Sequence, residues 1–310
     1  MKLVLVALLT VILVSSTVLS HVDAKSKDSK AKDKIIKAIG KAVEGRYSQI
    51  KLIQLSKSNV SGYILAYNTT KTNPPVPIPT PTPTPTPVPS GPTTKVCLVG
   101  DLKGSTVPNL LEKGDCNYKI GLGDLGYKDT LSYFKGLNFN KCLIGNHDST
   151  ENGNDAIYKE ALAYCGDSWY IKAGQAAILF GFNTNGNLDN QLAAAKQVPM
   201  TGIKSVFVLS HKPCYTSPNS HHPVESRVKA FCDSLAKVIP SGIKVYYIAA
   251  HNHQLASTVD GTKFIAGGGG RSHYDCGTDS LWNFCDNTHY GFLELTIGNS
   301  DGATTAKFIK

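Results

Sequence analysis

From residue 93 onward, short apolar runs alternate with stretches of helical periodicity. Runs of strand character fall at Lys95–Val99, Tyr118–Leu122, Lys141–Ile144, Ala177–Phe182, Ser205–Leu209, Lys244–Ala249, Lys263–Ile265 and Gly291–Ile297. Apolar residues recur at three- and four-residue intervals over Asp155–Cys165, Leu188–Gln197 and Ser226–Val238. Strands that alternate with helices predict an α/β domain whose sheet is buried and largely parallel. Residues 93–310 are enough for one domain with a large core, burying roughly 70 to 75% of the surface of the extended chain.

The first 92 residues follow different patterns. An apolar stretch, Leu3–Leu19, follows Met1-Lys2 and leads to Val22-Asp23-Ala24, a small-residue cleavage pattern, so residues 1–24 read as a signal peptide cut after Ala24. The alternative is a retained membrane anchor, which Thr10, Ser15, Ser16 and Thr17 weaken. Residues 25–73 form a small basic module, with an amphipathic helix over Ile35–Val43 and alternating runs at Gln49–Leu55 and Gly62–Tyr67 that predict a hairpin. From 74 to 92 proline alternates with Thr, Val or Ile, which excludes helix and central strand and predicts a stiff polyproline II spacer. Its threonines suit O-glycans, and Asn59-Val60-Ser61 and Asn68-Thr69-Thr70 are acceptor sequons for N-glycans.

Charge follows the same partition. Net charge is +9, yet Lys25 to Lys51 alone carries eight Lys and one Arg against Asp28, Asp33 and Glu44. Residues 92–310 are left at +1, too little for a nucleic-acid footprint, so no nucleic-acid binding is expected. The basic arm reads either as a solvated tether or as an attachment to an acidic cell surface. All eight cysteines follow residue 92, and an even count behind a signal peptide predicts disulfides in a secreted chain with no membrane span once mature. Cys276 and Cys285 are the first pair expected to close, as a local loop, and without a C-x-x-C pair no zinc ribbon is expected.

The polar residues that end the strands carry the chemistry. Five runs finish in metal-binding residue types: Val99-Gly100-Asp101, Leu122-Gly123-Asp124, Ile144-Gly145-Asn146-His147-Asp148, Leu209-Ser210-His211 and Ala249-Ala250-His251-Asn252-His253. Carboxyl ends of strands are where open α/β sheets place their sites. Singly, an Asp after a strand is a turn residue or helix cap, and a His is a satisfied core residue. Five in order read as one donor set of carboxylate, amide and imidazole, suited to Fe, Mn or Zn rather than to a thiolate metal.

This order resembles the calcineurin-like metallophosphoesterases, whose motifs are D-x-H, G-D, G-N-H-D/E, a lone His and G-H-x-H; the likeness covers most of residues 95–255. Two positions depart from it. Lys103 stands where the first motif has His, and Ala250 replaces the glycine before His251. The purple acid phosphatase branch also lacks that first His and has instead a tyrosine three residues after the second aspartate, as in Gly123-Asp124-Leu125-Gly126-Tyr127. The branch's V-x-x-H matches Val208-Leu209-Ser210-His211, and His221 and His222 fall near its second active-site histidine.

The resemblance implies a layered α/β/β/α sandwich with mixed sheets, preceded by the small module and the Pro/Thr spacer. It implies a secreted binuclear-metal hydrolase of phosphate esters, acid-phosphatase-like toward phosphomonoesters, that attacks with a metal-bound hydroxide. One metal falls to Asp101, Asp124, Tyr127 and His253, the other to Asp124, Asn146, His211 and His251. Tyr127 implies Fe(III) beside a divalent Zn, Fe or Mn, although the residue taken alone is a core tyrosine near a strand end. His147 is expected to hydrogen-bond the transferring phosphoryl group or to protonate the leaving oxygen, with Asp148 orienting its ring, and His221 or His222 to share that work.

Lys103 has three readings: it receives the substrate phosphate, points outward, or weakens one metal. The run Gly267–Gly270 with Arg271, Ser272 and His273 either lines the pocket or is a plain turn. The alternatives to a phosphomonoesterase are a phosphodiesterase or nucleotidase on the same scaffold, and a non-catalytic binding protein.

Overall fold

The structure, a computed structural model, describes residues 51–57, 60–66, 88–103, 106–125, 127, 135–149, 155–217, 220–277 and 279–310 of the 310-residue chain. The signal segment, the helix expected at 35–43, Asn59, Asn68 and most of the proline spacer lie outside these residues. The chain divides into two units, Met1–Thr82 and Pro83–Lys310. In the first, β1 (Lys51–Lys57) and β2 (Val60–Ala66) pair antiparallel from Lys51↔Ala66 to Lys57↔Val60, the expected hairpin shifted toward its turn.

The second unit is built from two sheets. One is five-stranded, in the order β14-β13-β3-β4-β5: β3 (Thr93–Val99), β4 (Tyr118–Gly121), β5 (Lys141–Cys142), β13 (Phe292–Gly298) and β14 (Thr304–Ile309). The other is seven-stranded, in the order β12-β10-β11-β9-β8-β7-β6: β6 (Ser168–Ala173), β7 (Ala177–Phe182), β8 (Ser205–Leu209), β9 (Lys244–Ala249), β10 (Leu255–Thr258), β11 (Lys263–Ala266) and β12 (Trp282–Asp286). Parallel pairing is confined to β3-β4-β5 and to β7-β8-β9-β11, and every other pair is antiparallel.

Mixed sheets thus replace the largely parallel one that alternation alone predicts. The unforeseen strands are β6, β10, β12 and β14. β6, β12 and β14 lie at sheet edges, where one side faces solvent and the apolar signal is diluted, as in the half-exposed pattern of β14. By contrast β7 and β8 are buried along their whole length and read from the sequence as unbroken apolar runs.

Helices cover both outer faces. Leu98, Ile120, Leu122 and Leu143 of the smaller sheet pack against Leu179, Phe207, Leu209 and Ile248 of the larger, and this inner layer is the main core. Phe207 stacks on Tyr246 with ring centres 4.7 Å apart. α1 (Val107–Lys113) and α2 (Asp155–Cys165) lie on the far side of the smaller sheet, burying Val107, Leu111 and Ala161 against Val99 and Ile144. α3 (Leu188–Ala195) and α4 (Ser226–Val238) cover the larger sheet. α4 turns in Val228, Phe231, Cys232 and Leu235, the i, i+3, i+4, i+7 stripe of a one-sided helix. The result is an α/β/β/α sandwich. Among the described residues no helix is long and apolar enough to cross a membrane.

All eight cysteines pair: Cys97–Cys116, Cys142–Cys165, Cys214–Cys232 and, as expected, Cys276–Cys285. Three of these bonds sit within three residues of site segments. Cys142 precedes Gly145, Cys214 follows His211 and Cys276 follows Tyr274.

Candidate metal centre

The carboxyl ends of the parallel strands in the two sheets face one another, and the predicted ligands meet there. Asp101 follows β3, Asp124 follows β4, Asn146 follows β5, His211 follows β8, and His251 and His253 follow β9. Asp101, Asp124 and His211 are fully or almost fully buried, and their ligand atoms lie within 4.8 Å of one another, a group able to hold a metal.

Hydrogen bonds fix which way the histidines present their lone pairs. His211 Nδ1 lies 2.9 Å from the Leu122 carbonyl and His253 Nδ1 lies 2.7 Å from the Ser272 carbonyl. A carbonyl only accepts, so both Nδ1 atoms carry the proton and both Nε2 atoms are acceptors. Yet His211 Nε2 faces Asn146 Oδ1 at 3.0 Å and Asp124 Oδ1 at 3.3 Å. Likewise His253 Nε2 faces Asp101 Oδ1 at 3.5 Å and the Tyr127 hydroxyl, which donates to Asp101 Oδ1 at 3.2 Å, at 3.3 Å. Acceptors turned on acceptors repel unless a cation joins them, and imidazole tied back to a backbone carbonyl is the usual support of a metal ligand. The residues present therefore fit a metal.

The turns that aim these groups are strained. Asp101, Asp124, Tyr127 and His251 have φ of 59°, 53°, 35° and 67°, four of the five left-handed non-glycine residues described. Such conformations cost on the order of 1 to 3 kcal/mol each and cluster at functional sites. Gly145 is required by close approach, because a Cβ there would lie 2.0 Å from Asp124 Oδ1. Gly100 is required in the same way: a Cβ on it would lie 2.4 Å from that of Ala250, so the turns after β3 and β9 pack closely.

Asp148 behaves differently from the expectation. Its carboxylate accepts Leu125 N–H at 2.8 and 3.1 Å and Gly145 N–H at 2.9 Å. Rather than orienting the His147 ring, it ties the Asp124 turn to the Asn146 turn. His147 is placed by its own N–H, which donates to Asp124 Oδ1 at 2.9 Å, and by its ring, 4.5 Å from that of Tyr127.

Above this floor lies a rim of longer loops. His222 stacks on His251 at 4.0 Å, and Tyr274 stacks on His253 at 4.1 Å and on the exposed ring of His221 at 3.9 Å. Of the two candidate histidines, His222 borders the ligand set and His221 lies outside it. Tyr274 was not foreseen, since a lone tyrosine in a loop carries no local signature. Nor was Asn252, buried between the paired histidines, whose side chain binds His222 N–H, His222 O and Thr216 Oγ1 and so holds the rim loop. The glycine run packs against the Asp101 turn: Gly269 N–H donates to Gly100 O at 3.1 Å, and Gly270 bridges Leu102.

No family profile and no curated protein matches the sequence. Solved structures do resemble it. A purple acid phosphatase isolated from yellow lupin (Lupinus luteus) seeds superposes with a TM-score of 0.51 at 13% identity, over 71% of this chain and 55% of that one. The domain has the metallophosphoesterase fold. Also similar are the Plasmodium protein GAP50, the anchor in the inner membrane complex (TM-score 0.48, 16% identity, 70% and 84% covered), and a Staphylococcus aureus protein assigned as a 5′-nucleotidase, in complex with alpha-ketoglutarate (TM-score 0.41, 11% identity, 70% and 53% covered). The chain spans about half the length of the lupin enzyme.

Within this fold the charges of the site's own side chains work against one another. Burial, with Asp101 and Asp148 nearby, pushes the Asp124 carboxyl well above the ordinary range. Asp101 is held below it: burial, which raises it, is outweighed by the histidines around it and by the His251 N–H. Burial brings His211 and His222 down to about 4 and lowers His251 further. Tyr127 is driven far up by burial and by Asp101 and Asp124, so a phenolate there requires a cation in place.

Proposed function

We propose that this chain is a secreted binuclear-metal phosphoester hydrolase acting on phosphomonoesters. The observation that carries this reading is the facing of His211 Nε2 on Asp124 and Asn146, and of His253 Nε2 on Asp101, with both Nδ1 protons committed to backbone. Asp101, Asp124, Tyr127 and His253 would hold one metal, and Asp124, Asn146, His211 and His251 the other, with Asp124 shared. A tyrosinate favours Fe(III) at the first, and Zn, Fe or Mn suits the second. When bound, the pair supplies charge neutralisation at the phosphoryl oxygens and a nucleophile at ordinary pH.

The chain's own groups do the rest. His147 is half-buried at the mouth, and burial with the Arg271 charge lowers its pKa, so near neutral pH it is an uncharged imidazole that donates one N–H to a phosphoryl oxygen. In acid it becomes the proton source for the leaving oxygen. His222 and Tyr274 cover the outer faces of His251 and His253 and keep bulk water from them. Asp148 keeps the two ligand turns in register. Residues 93–310 make up the catalytic domain, behind a cleaved leader, a small module and a spacer, and the four disulfides support an oxidising compartment.

The test is turnover by the full chain loaded with iron and zinc, against aryl phosphates, bis-aryl phosphates and nucleotides. Aryl phosphates are expected to be cleaved fastest, and His147→Ala to lower kcat by about a hundredfold or more. Absence of turnover on every ester would overturn the reading.

A further inference from the structure

Two cations stand over the ring of Tyr127 at the mouth of the site. Arg271 Cζ lies 4.6 Å and Lys103 Nζ 5.8 Å from the centre of the Tyr127 ring. Neither makes an ion pair with a carboxylate among the described residues. They come from distant parts of the chain and are brought together by backbone. Gly270 forms an antiparallel bridge with Leu102, and Lys103 N–H donates to Gly269 O at 3.2 Å.

Arg271 is pinned on its other side as well. The next residue, Ser272, gives its carbonyl to His253 Nδ1 at 2.7 Å, and Tyr274 stacks on the same imidazole. The guanidinium thus rides on a short span anchored at one end to the Asp101 turn and at the other to His253. Packing on Tyr127 alone would account for one cation over that ring. It does not account for two, from separate loops, beside an acidic floor. Unpaired cations held over such a floor are placed for an anion arriving from solvent.

We infer that Arg271, with Lys103 beside it, grips the outward oxygens of the substrate's phosphoryl group and selects dianionic monoesters over monoanionic diesters. This rests on the hydrolase reading above. A monoester presents three free oxygens and two charges, whereas a diester gives up one oxygen and one charge to its second substituent. The planar fork of arginine matches a pair of phosphoryl oxygens, which a lysine meets only as a point charge.

The experiment compares wild type, Arg271→Ala, Arg271→Lys and Lys103→Ala, each as the full metal-loaded chain. The readouts are kcat/KM on an aryl phosphate and on its methyl diester, and the affinity for inorganic phosphate by calorimetry. Arg271→Ala is expected to lower phosphate affinity and the monoester-to-diester ratio by about ten- to a hundredfold at unchanged metal content, with Arg271→Lys recovering part of the loss and Lys103→Ala losing less. An equal fall on both esters, or no change in the ratio, would overturn the clamp. If wild type cleaves neither ester, the hydrolase reading fails on its own, and phosphate affinity decides: weaker binding in Arg271→Ala keeps the clamp as an anion site, and equal binding removes it.

Discussion

The floor and the rim of the candidate site are made by different means. Floor residues stand two to six positions beyond parallel strands, are mostly buried, and are held by backbone hydrogen bonds and left-handed turns. Rim residues stand on long loops, and ring stacking, Asn252 and the Cys276–Cys285 bond hold them. The floor is therefore set by the strand ends, whereas the rim is set by loops that meet in space. If so, damage to the floor should remove metal and all activity, and damage to the rim should change which ester is preferred while metal stays.

The largest expected effect is on the floor. Asp124→Asn should lower bound metal and reduce turnover by about a thousandfold or more, as loss of a shared ligand would. The same change should raise the melting temperature of metal-free protein, because it removes a buried carboxyl beside Asp101 and Asp148. A fall in both states would contradict the view that the apo site is charge-frustrated.

Disulfides separate the regions next. Replacing Cys142 and Cys165 by serine should cost about 3 kcal/mol and weaken metal loading, since Cys142 leads into the Asn146 turn. Replacing Cys276 and Cys285 should cost slightly less, about 2 to 3 kcal/mol, and alter ester preference at full metal content. Denaturant melts and elemental analysis of both pairs would show whether the regions are this independent.

A smaller effect concerns pH. Burial raises the Asp148 carboxyl to about 6. In the metal-free protein the folded state therefore takes up a proton between about pH 4 and 6, and this group's contribution to stability falls as pH rises through that window. Asp148→Asn has no such slope, so relative to wild type it should gain about 3 kcal/mol across the window in denaturant melts. Smallest of all, Tyr274→Phe keeps the ring stack on His253 and should shift stability by less than about 0.5 kcal/mol.

The same division governs what the sequence reveals. Asp101, Asp124, Asn146, His211, His251 and His253 are legible because each follows an apolar run whose end the chain must turn, and the structure brings all of them together with Tyr127 and His147. The roles are less legible than the residues: Asp148 reads as a partner of His147 until its hydrogen bonds show it joining two turns. Tyr274, Asn252 and the placement of Arg271 are not legible, because stacking and a lone β-bridge depend on loops meeting in space. Edge strands such as β14 escape for a related reason, since pairing with β13, rather than an apolar pattern, defines them.

The central claim is that the floor holds two metals with Tyr127 on one of them. Its most direct test is the metal content and visible absorption of the full chain beside Tyr127→Phe after reconstitution with iron and zinc. Two metals per chain, with a tyrosinate-to-iron band that disappears in Tyr127→Phe, is the predicted result. A chain that binds no metal under these conditions would contradict it.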